Sequence, residues 1–182
     1  MKKQMMWEND ETAGCELAEL SVENGEIRID STVLFLDEKG PVKTHYQLEL
    51  DESWATKRLA IKSGDGHALE LTSSGEGQWF GQDGQLLEEL SGAIDIDISA
   101  TPFSNSLPIN RKSWHEGQTR EFEMVYIAVP SLELRKMKQI YTCVTASHPR
   151  TFRYQSENFE SLIEVDEDGF VIHYPGLFTR IY

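Results

Sequence analysis

Four dipeptides constrain this chain more than any other feature: Asn24-Gly25, Asp65-Gly66, Asp83-Gly84 and Asp168-Gly169. Each sets a residue that tolerates positive φ beside a glycine, as the type I′ turn of a tight β-hairpin requires. Gly117 in HEGQ and Pro175-Gly176 in YPGL add two further turns. The intervening segments alternate apolar and polar residues. EIRIDSTVLF puts Ile27, Ile29, Val33 and Phe35 on one side, and HYQLEL does the same with Tyr46, Leu48 and Leu50. REFEMVY aligns Phe122, Met124 and Tyr126, and FVIHY aligns Phe170, Ile172 and Tyr174. Period two is the pattern of a half-buried strand.

No segment carries a helical stripe over three turns. SLELRKMKQIY has the residues of a helix but reads equally as a long strand running into QIYTCV, and SENFESLIEVD is ambiguous in the same way. Many short strands at hairpin spacing imply an all-β, mainly antiparallel fold with little helix. A sheet of that many strands must close into a barrel, curl strongly, or split into layers. At 182 residues the chain is read as one domain spanning 1–182, with 39% hydrophobic content to build a core.

The net charge of -14 repels nucleic acid backbones and anionic lipid headgroups, so neither nucleic acid binding nor stable membrane insertion is expected. No apolar run approaches the length of a membrane span, and MKKQMMWENDE has no apolar region behind its lysines. A cytoplasmic location is therefore expected, with Cys15 and Cys143 as free thiols. The composition does not fix the oligomeric state.

Catalytic signatures are missing: there is no GxSxG, P-loop, GxGxxG after a strand, or HExxH. The five histidines are scattered and none makes a metal-ligand spacing, so no metal or cofactor is expected. What remains is GAIDIDISATPFSNSLPINR. Its alternation sends Ile94, Ile96 and Ile98 to one face of a strand and Asp95 and Asp97 to the other. Two carboxylates side by side can form an acid/base pair, or can be the solvent side of a half-buried strand. Thr101-Pro102 and Leu107-Pro108 predict an extended loop, with Ser104, Asn105 and Ser106 between the apolar Phe103 and Leu107. Arg111 offers a planar cation for a bidentate carboxylate contact, with Asp97 the expected partner and Asp95 the next candidate. At the C-terminus Tyr174, Phe178 and Tyr182 surround Arg180, a grouping that suits a sugar or an amphiphile, or an ordinary hairpin core.

Together these segments resemble the bacterial putative glycolipid-binding family over nearly the whole chain. The resemblance rests on Trp7, YQLELDESWATKRLAI (46–61), GQWF (77–80), DIDISATPFSNSLPIN (95–110), YTCV (141–144) and VDEDGFVIHYPGLFTRI (165–181). It implies a many-stranded β-barrel similar in shape to the carriers that shuttle lipoproteins to the outer membrane. The family often has Arg in place of Asn110, and Thr in place of Ser104 and Ser106, so the hydroxyls survive and one cation is lost. Those carriers are exported, and the expectation of no signal peptide here favours small-ligand binding over lipoprotein traffic.

The reading is thus non-catalytic binding of a small amphipathic ligand, such as a glycolipid, in a barrel cavity. Arg58, Asp95, Asp97, Asn105, Arg111, Tyr141, Tyr174 and Arg180 are the expected polar lining, and Trp54, Trp79, Phe103 and Phe178 the apolar walls. Two alternatives stand beside it. One is an enzyme, a hydrolase or isomerase, with Asp95 or Asp97 as general base. The other is a filled barrel with no ligand. A cavity of roughly 300 Å³ or more separates the ligand readings from the last.

Overall fold

The computed structural model describes residues 1–64 and 66–182. Strands β1 (Lys2–Asn9), β2 (Gly14–Glu23), β3 (Glu26–Asp37), β4 (Gly40–Leu50), β5 (Thr56–Ser63), β6 (Ala68–Ser73) and β7 (Trp79–Phe80) form the N-terminal half. The C-terminal half holds β8 (Asp95–Ile98), β9 (Thr119–Ile127), β10 (Leu134–Thr145), β11 (Arg150–Ser156), β12 (Phe159–Val165), β13 (Val171–Tyr174) and β14 (Phe178–Arg180). Strands take 57% of the residues and helix 7%, so the all-β expectation holds.

All the strands belong to one sheet, in the order β7-β6-β5-β4-β3-β2-β1-β14-β13-β12-β11-β10-β9-β8. Its end strands β7 and β8 are not paired with each other, so of the expected forms the molecule takes the strongly curled sheet rather than the closed barrel. The β8–β9 pair is parallel and every other pair is antiparallel.

The hairpin dipeptides behave unequally. Asn24 (φ 53°) and Gly25 (φ 83°) form the two-residue turn between β2 and β3, whose last pair is Glu23 with Glu26. Asp83-Gly84 and Asp168-Gly169 lie in longer loops that turn back through Gly84 to Gly81 and Gly169 to Asp166. Asp65 lies outside the described residues. Gly169 has a second constraint: a Cβ there would sit 2.1 Å from Asn110 Oδ1. Both ambiguous segments are strand. SLELRKMKQIY runs into β10, and SENFESLIEVD spans the turn between β11 and β12. The alternation read in FVIHY fails, because a bulge between β12 and β13 breaks the register beside Ile172.

Following the registers across the sheet puts Trp7, Phe178, Tyr174, Ile163, Phe152, Tyr141 and Met124 on one continuous concave face. The reverse face of β8 and β9 is also buried. Ile96, Ile98, Val125 and Ile127 join the core lined by Met5, Leu48 and Leu59 from the N-terminal half. Each such aliphatic side chain contributes roughly 1.5–3 kcal/mol by leaving water. The β8 edge is therefore tucked inside the curl of its own sheet, with a separate core on each side.

Between β8 and β9 the chain fills the curl. A 3₁₀ turn, Pro102–Asn105, runs into the short helix α1 (Ser106–Arg111), and Pro102 to Ile109 are all buried. Thr101 is extended (φ -138°, ψ 136°), as expected before proline. The extended geometry expected at Leu107-Pro108 is not found. Pro108 falls in the first turn of α1, where its missing N–H costs no helical hydrogen bond.

Candidate functional site

The alternation of β8 separates its acids from its isoleucines, and the two acids meet different partners. Asp95 is fully buried. It receives a bidentate contact from Arg111 at the end of α1, Nη2 to Oδ2 at 2.6 Å and Nε to Oδ1 at 3.0 Å. The guanidinium also lies 5.4 Å from the Phe122 ring centroid. Burial raises the Asp95 carboxyl above its ordinary value, against the pull of Arg111. The arginine thus pairs with Asp95, not with the expected Asp97.

Among the described residues no Lys, Arg or His forms a salt bridge with Asp97. Its Oδ2 accepts from Gln139 Nε2 at 2.6 Å, and burial pushes the carboxyl up to about 6, against the pull of that one bond. Behind Gln139 the network continues inward. The Tyr141 hydroxyl lies 3.3 Å from Gln139 Oε1 and donates to Asn105 Oδ1 at 2.9 Å, while Asn105 Nδ2 donates to the Pro102 carbonyl. The carboxylate is thereby tied through β10 to the segment filling the curl.

In front of Asp97 lies a cavity of about 330 Å³. Its wall is aromatic: Tyr126, Tyr154, Phe159, Tyr174 and Phe178, with Met137, Ile98 and Leu177. Tyr154, Phe159 and Tyr174 form a triangle of rings with centroids 6.1–6.2 Å apart, and Phe178 stands 6.4 Å from Tyr174. The polar part of the lining includes Asp97, Thr101, Asn105 and Ser156. Burial raises the Tyr154 and Tyr174 hydroxyls above their ordinary value, and the charge of Asp97 adds to both shifts. They stand in the cavity as neutral phenols, able to donate. Phe159 keeps 44% of its surface exposed, so the mouth is partly apolar.

A larger hollow of about 880 Å³ lies over the outward side of β1 to β4. Several of its polar groups pair with one another, Gln4 with Glu19, Gln47 with Asp30 and Arg28 with Glu26, and tyrosine at position 182 is its one ring. The smaller cavity combines apolar rings with converging polar groups, which is the composition of a ligand site.

The expected site residues divide. Asp97, Asn105, Tyr174 and Phe178 line the cavity, Tyr141 stands one hydrogen bond behind it, and the Asp95–Arg111 pair braces the same strand. The other five lie elsewhere. Trp79 is fully buried in the opposite core, its Nε1 donating to the Ala93 carbonyl at 2.7 Å. Trp54 and Phe103 pack on Phe170 in that core, at 5.9 and 6.0 Å. Arg58 is spent on the outer surface between Glu70 (2.6 Å) and Glu49 (3.4 Å). Arg180 bonds Asp166 at 2.7 Å, beside Lys3. They were grouped by residue type, and the curl gives the sheet two cores where one barrel cavity was expected.

Two groups were missed. Gln139 is 1% exposed and sits in β10 between Met137 and Tyr141 on the inward side; once β10 is a strand, a lone amide in an apolar stripe marks it. Glu16 is likewise alone on the inward side of β2, with Ala18 and Leu20. It accepts from Ser31 Oγ at 2.7 Å, from the Tyr46 hydroxyl at 2.6 Å and from Thr101 Oγ1. Burial raises its carboxyl, opposed by those three hydroxyls. Thr101 Oγ1 also accepts from Phe103 N at 3.0 Å, so Glu16 anchors the N-cap of the filling segment.

Among the described residues no cluster of His, Cys, Asp and Glu could hold a metal ion, and no helix is long and apolar enough to cross a membrane. A family model described as putative glycolipid-binding matches residues 4–180. The chain is similar to a DUF1089 family protein from Pseudomonas aeruginosa known from a crystal structure. That protein is 35% identical, with a TM-score of 0.80 over 91% of this chain and 92% of that one. The curated proteins contain no match.

Proposed function

This chain belongs to the putative glycolipid-binding family, and from that premise we propose that the cavity at Asp97 binds the headgroup of a small amphipathic molecule, a glycolipid in class, without turning it over. One observation carries the reading: a carboxylate that burial disfavours faces an aromatic cavity, with no cation to neutralise it. Aromatic faces suit the C–H side of a sugar ring, while Asp97 accepts and the tyrosines donate hydrogen bonds to its hydroxyls. The volume of about 330 Å³ is at the lower end of ligand sites, so a headgroup fits inside and its chain leaves past Phe159 and Leu177.

A second reading draws on the same carboxyl. A value near 6 is poised for general-base work at neutral pH. The arginine that would have partnered a developing anion is held by Asp95, which favours binding over turnover.

Native mass spectrometry of freshly purified protein tests for a retained ligand. Calorimetric titration with n-octyl β-glucoside, below its micelle concentration, tests the class directly. We expect a saturable isotherm that Tyr154→Ala abolishes. No saturable heat with wild-type protein refutes the reading, and release of a modified glycoside would favour the enzymatic one.

A further inference from the structure

The same cavity has the electrostatics of a cation site. We propose that the headgroup it takes carries an ammonium group, so that the ligand is an amine-bearing amphiphile rather than a neutral one; this rests on the amphiphile reading above. Three features of the cavity support it.

The first is the unpaired charge. β8 presents one fully buried carboxylate and one half-buried one, and the chain supplies one arginine to that strand, which goes bidentately to Asp95. Asp97 is left with a single amide donor. A carboxylate accommodates more donors than that, and its open side faces the cavity. A half-buried charge without a counter-ion is costly in proportion to the water it has lost. A ligand that brings the missing cation removes that cost only when bound.

The second is the wall. Tyr154, Phe159 and Tyr174 meet in a triangle and Phe178 adjoins it, so several π-systems line one side of a small space. Ring faces attract an ammonium through their quadrupole, most strongly where water is excluded. A neutral sugar would use the rings but leave the carboxylate charge uncompensated. A carboxylate or phosphate would be repelled by Asp97.

The third is the approach. Arg135, which reaches the lining residues Tyr126 and Glu157, is already engaged: it pairs with Glu157 at 2.9 Å and its guanidinium lies 4.7 Å from the Tyr126 centroid. The chain's net charge of -14 draws cations toward the surface and discourages anions.

The test compares n-octyl β-glucoside with n-octyl 2-amino-2-deoxy-β-glucoside, which exchanges one hydroxyl for an ammonium. Both are titrated calorimetrically at neutral pH into wild-type protein and Asp97→Asn, with tetramethylammonium chloride as a chain-free cation. We expect wild type to bind the amino glycoside at least about tenfold more tightly than the glucoside, and Asp97→Asn to bring the two together. Equal binding by wild type overturns the ammonium inference and leaves the amphiphile reading standing. A preference that survives in Asp97→Asn overturns the assignment to this carboxylate. Binding of tetramethylammonium with neither glycoside keeps the cation site and removes the glycolipid; binding of none of the three removes both. The wild-type comparison needs no variant to fold.

Discussion

Replacing Asp97 with asparagine should make the protein more stable at neutral pH, and the size of the gain follows from the site. Burial moves the carboxyl from its ordinary 3.8 to about 6, opposed by a single hydrogen bond from Gln139. A group whose folded value is raised holds its proton longer in the folded than in the unfolded chain. Its contribution to stability is complete below pH 3.8 and is lost as pH rises through about 6. At about 1.36 kcal/mol per pH unit the gap is worth about 3 kcal/mol, and contact with the cavity reduces this to roughly 2 kcal/mol. Asparagine keeps the shape, accepts from Gln139 through its Oδ1, and carries no charge to desolvate. At pH 7.5 Asp97→Asn should therefore exceed wild type by roughly 2 kcal/mol, or about 5 °C in Tm for a chain this long. At pH 4 the gap should have shrunk to about 0.5 kcal/mol or less. Other groups face this carboxyl: the phenols of Tyr141, Tyr154 and Tyr174, Asp95 in its arginine pair, and Glu157 at the mouth. They are the same in both proteins and largely cancel in the difference. Urea melts of the matched pair across pH 4 to 7.5 measure it. A variant less stable than wild type at pH 7.5 would refute the reasoning, because Asp97 would then be a net stabilising anion with donors of its own.

The two neighbouring networks should behave in the opposite way. Arg111→Ala strands a buried carboxylate and should cost about 3–5 kcal/mol; a double-mutant cycle should find strong coupling to Asp95→Asn and none to Asp97→Asn. Thr101→Val removes both a donor to Glu16 and the cap of the filling segment. It should cost about 2–4 kcal/mol in chemical denaturation, and a loss below about 0.5 kcal/mol would show that the anchor is not structural.

The sheet was legible because its evidence is local. Period-two alternation and the Asn24-Gly25 turn act between residues close in sequence, and in β3 and the turn that leads into it they act as read. The two ambiguous segments were ambiguous for a physical reason: Leu, Arg, Lys and Met favour helix, and only pairing of β10 with β9 and β11 overrides that preference. The buried helix was misread for a related reason. Two prolines bias their predecessors toward extended backbone, but burial inside a curled sheet requires backbone groups to pair locally, and a short helix does so.

The site was half legible, and the dividing line is β8. Alternation placed Asp95 and Asp97 on one face, which is correct, and it put Ile96 and Ile98 in the core, which is also correct, while Ile94 precedes the strand and is only half-buried. It could not reveal that the strand separates two cores, because that depends on an edge curling back inside its own sheet. In a strand covered on one face the two acids would point to water and their spacing would mean little. Covered on both, each acid must find a partner inside. Arg111 reaches only one of them, since the Nε–Nη2 edge of its guanidinium is taken by the two oxygens of Asp95. The asymmetry between two adjacent, identical side chains is thus a consequence of the supply of cations within the curl. It turns Asp95 into a brace and leaves Asp97 as the charge that faces the cavity.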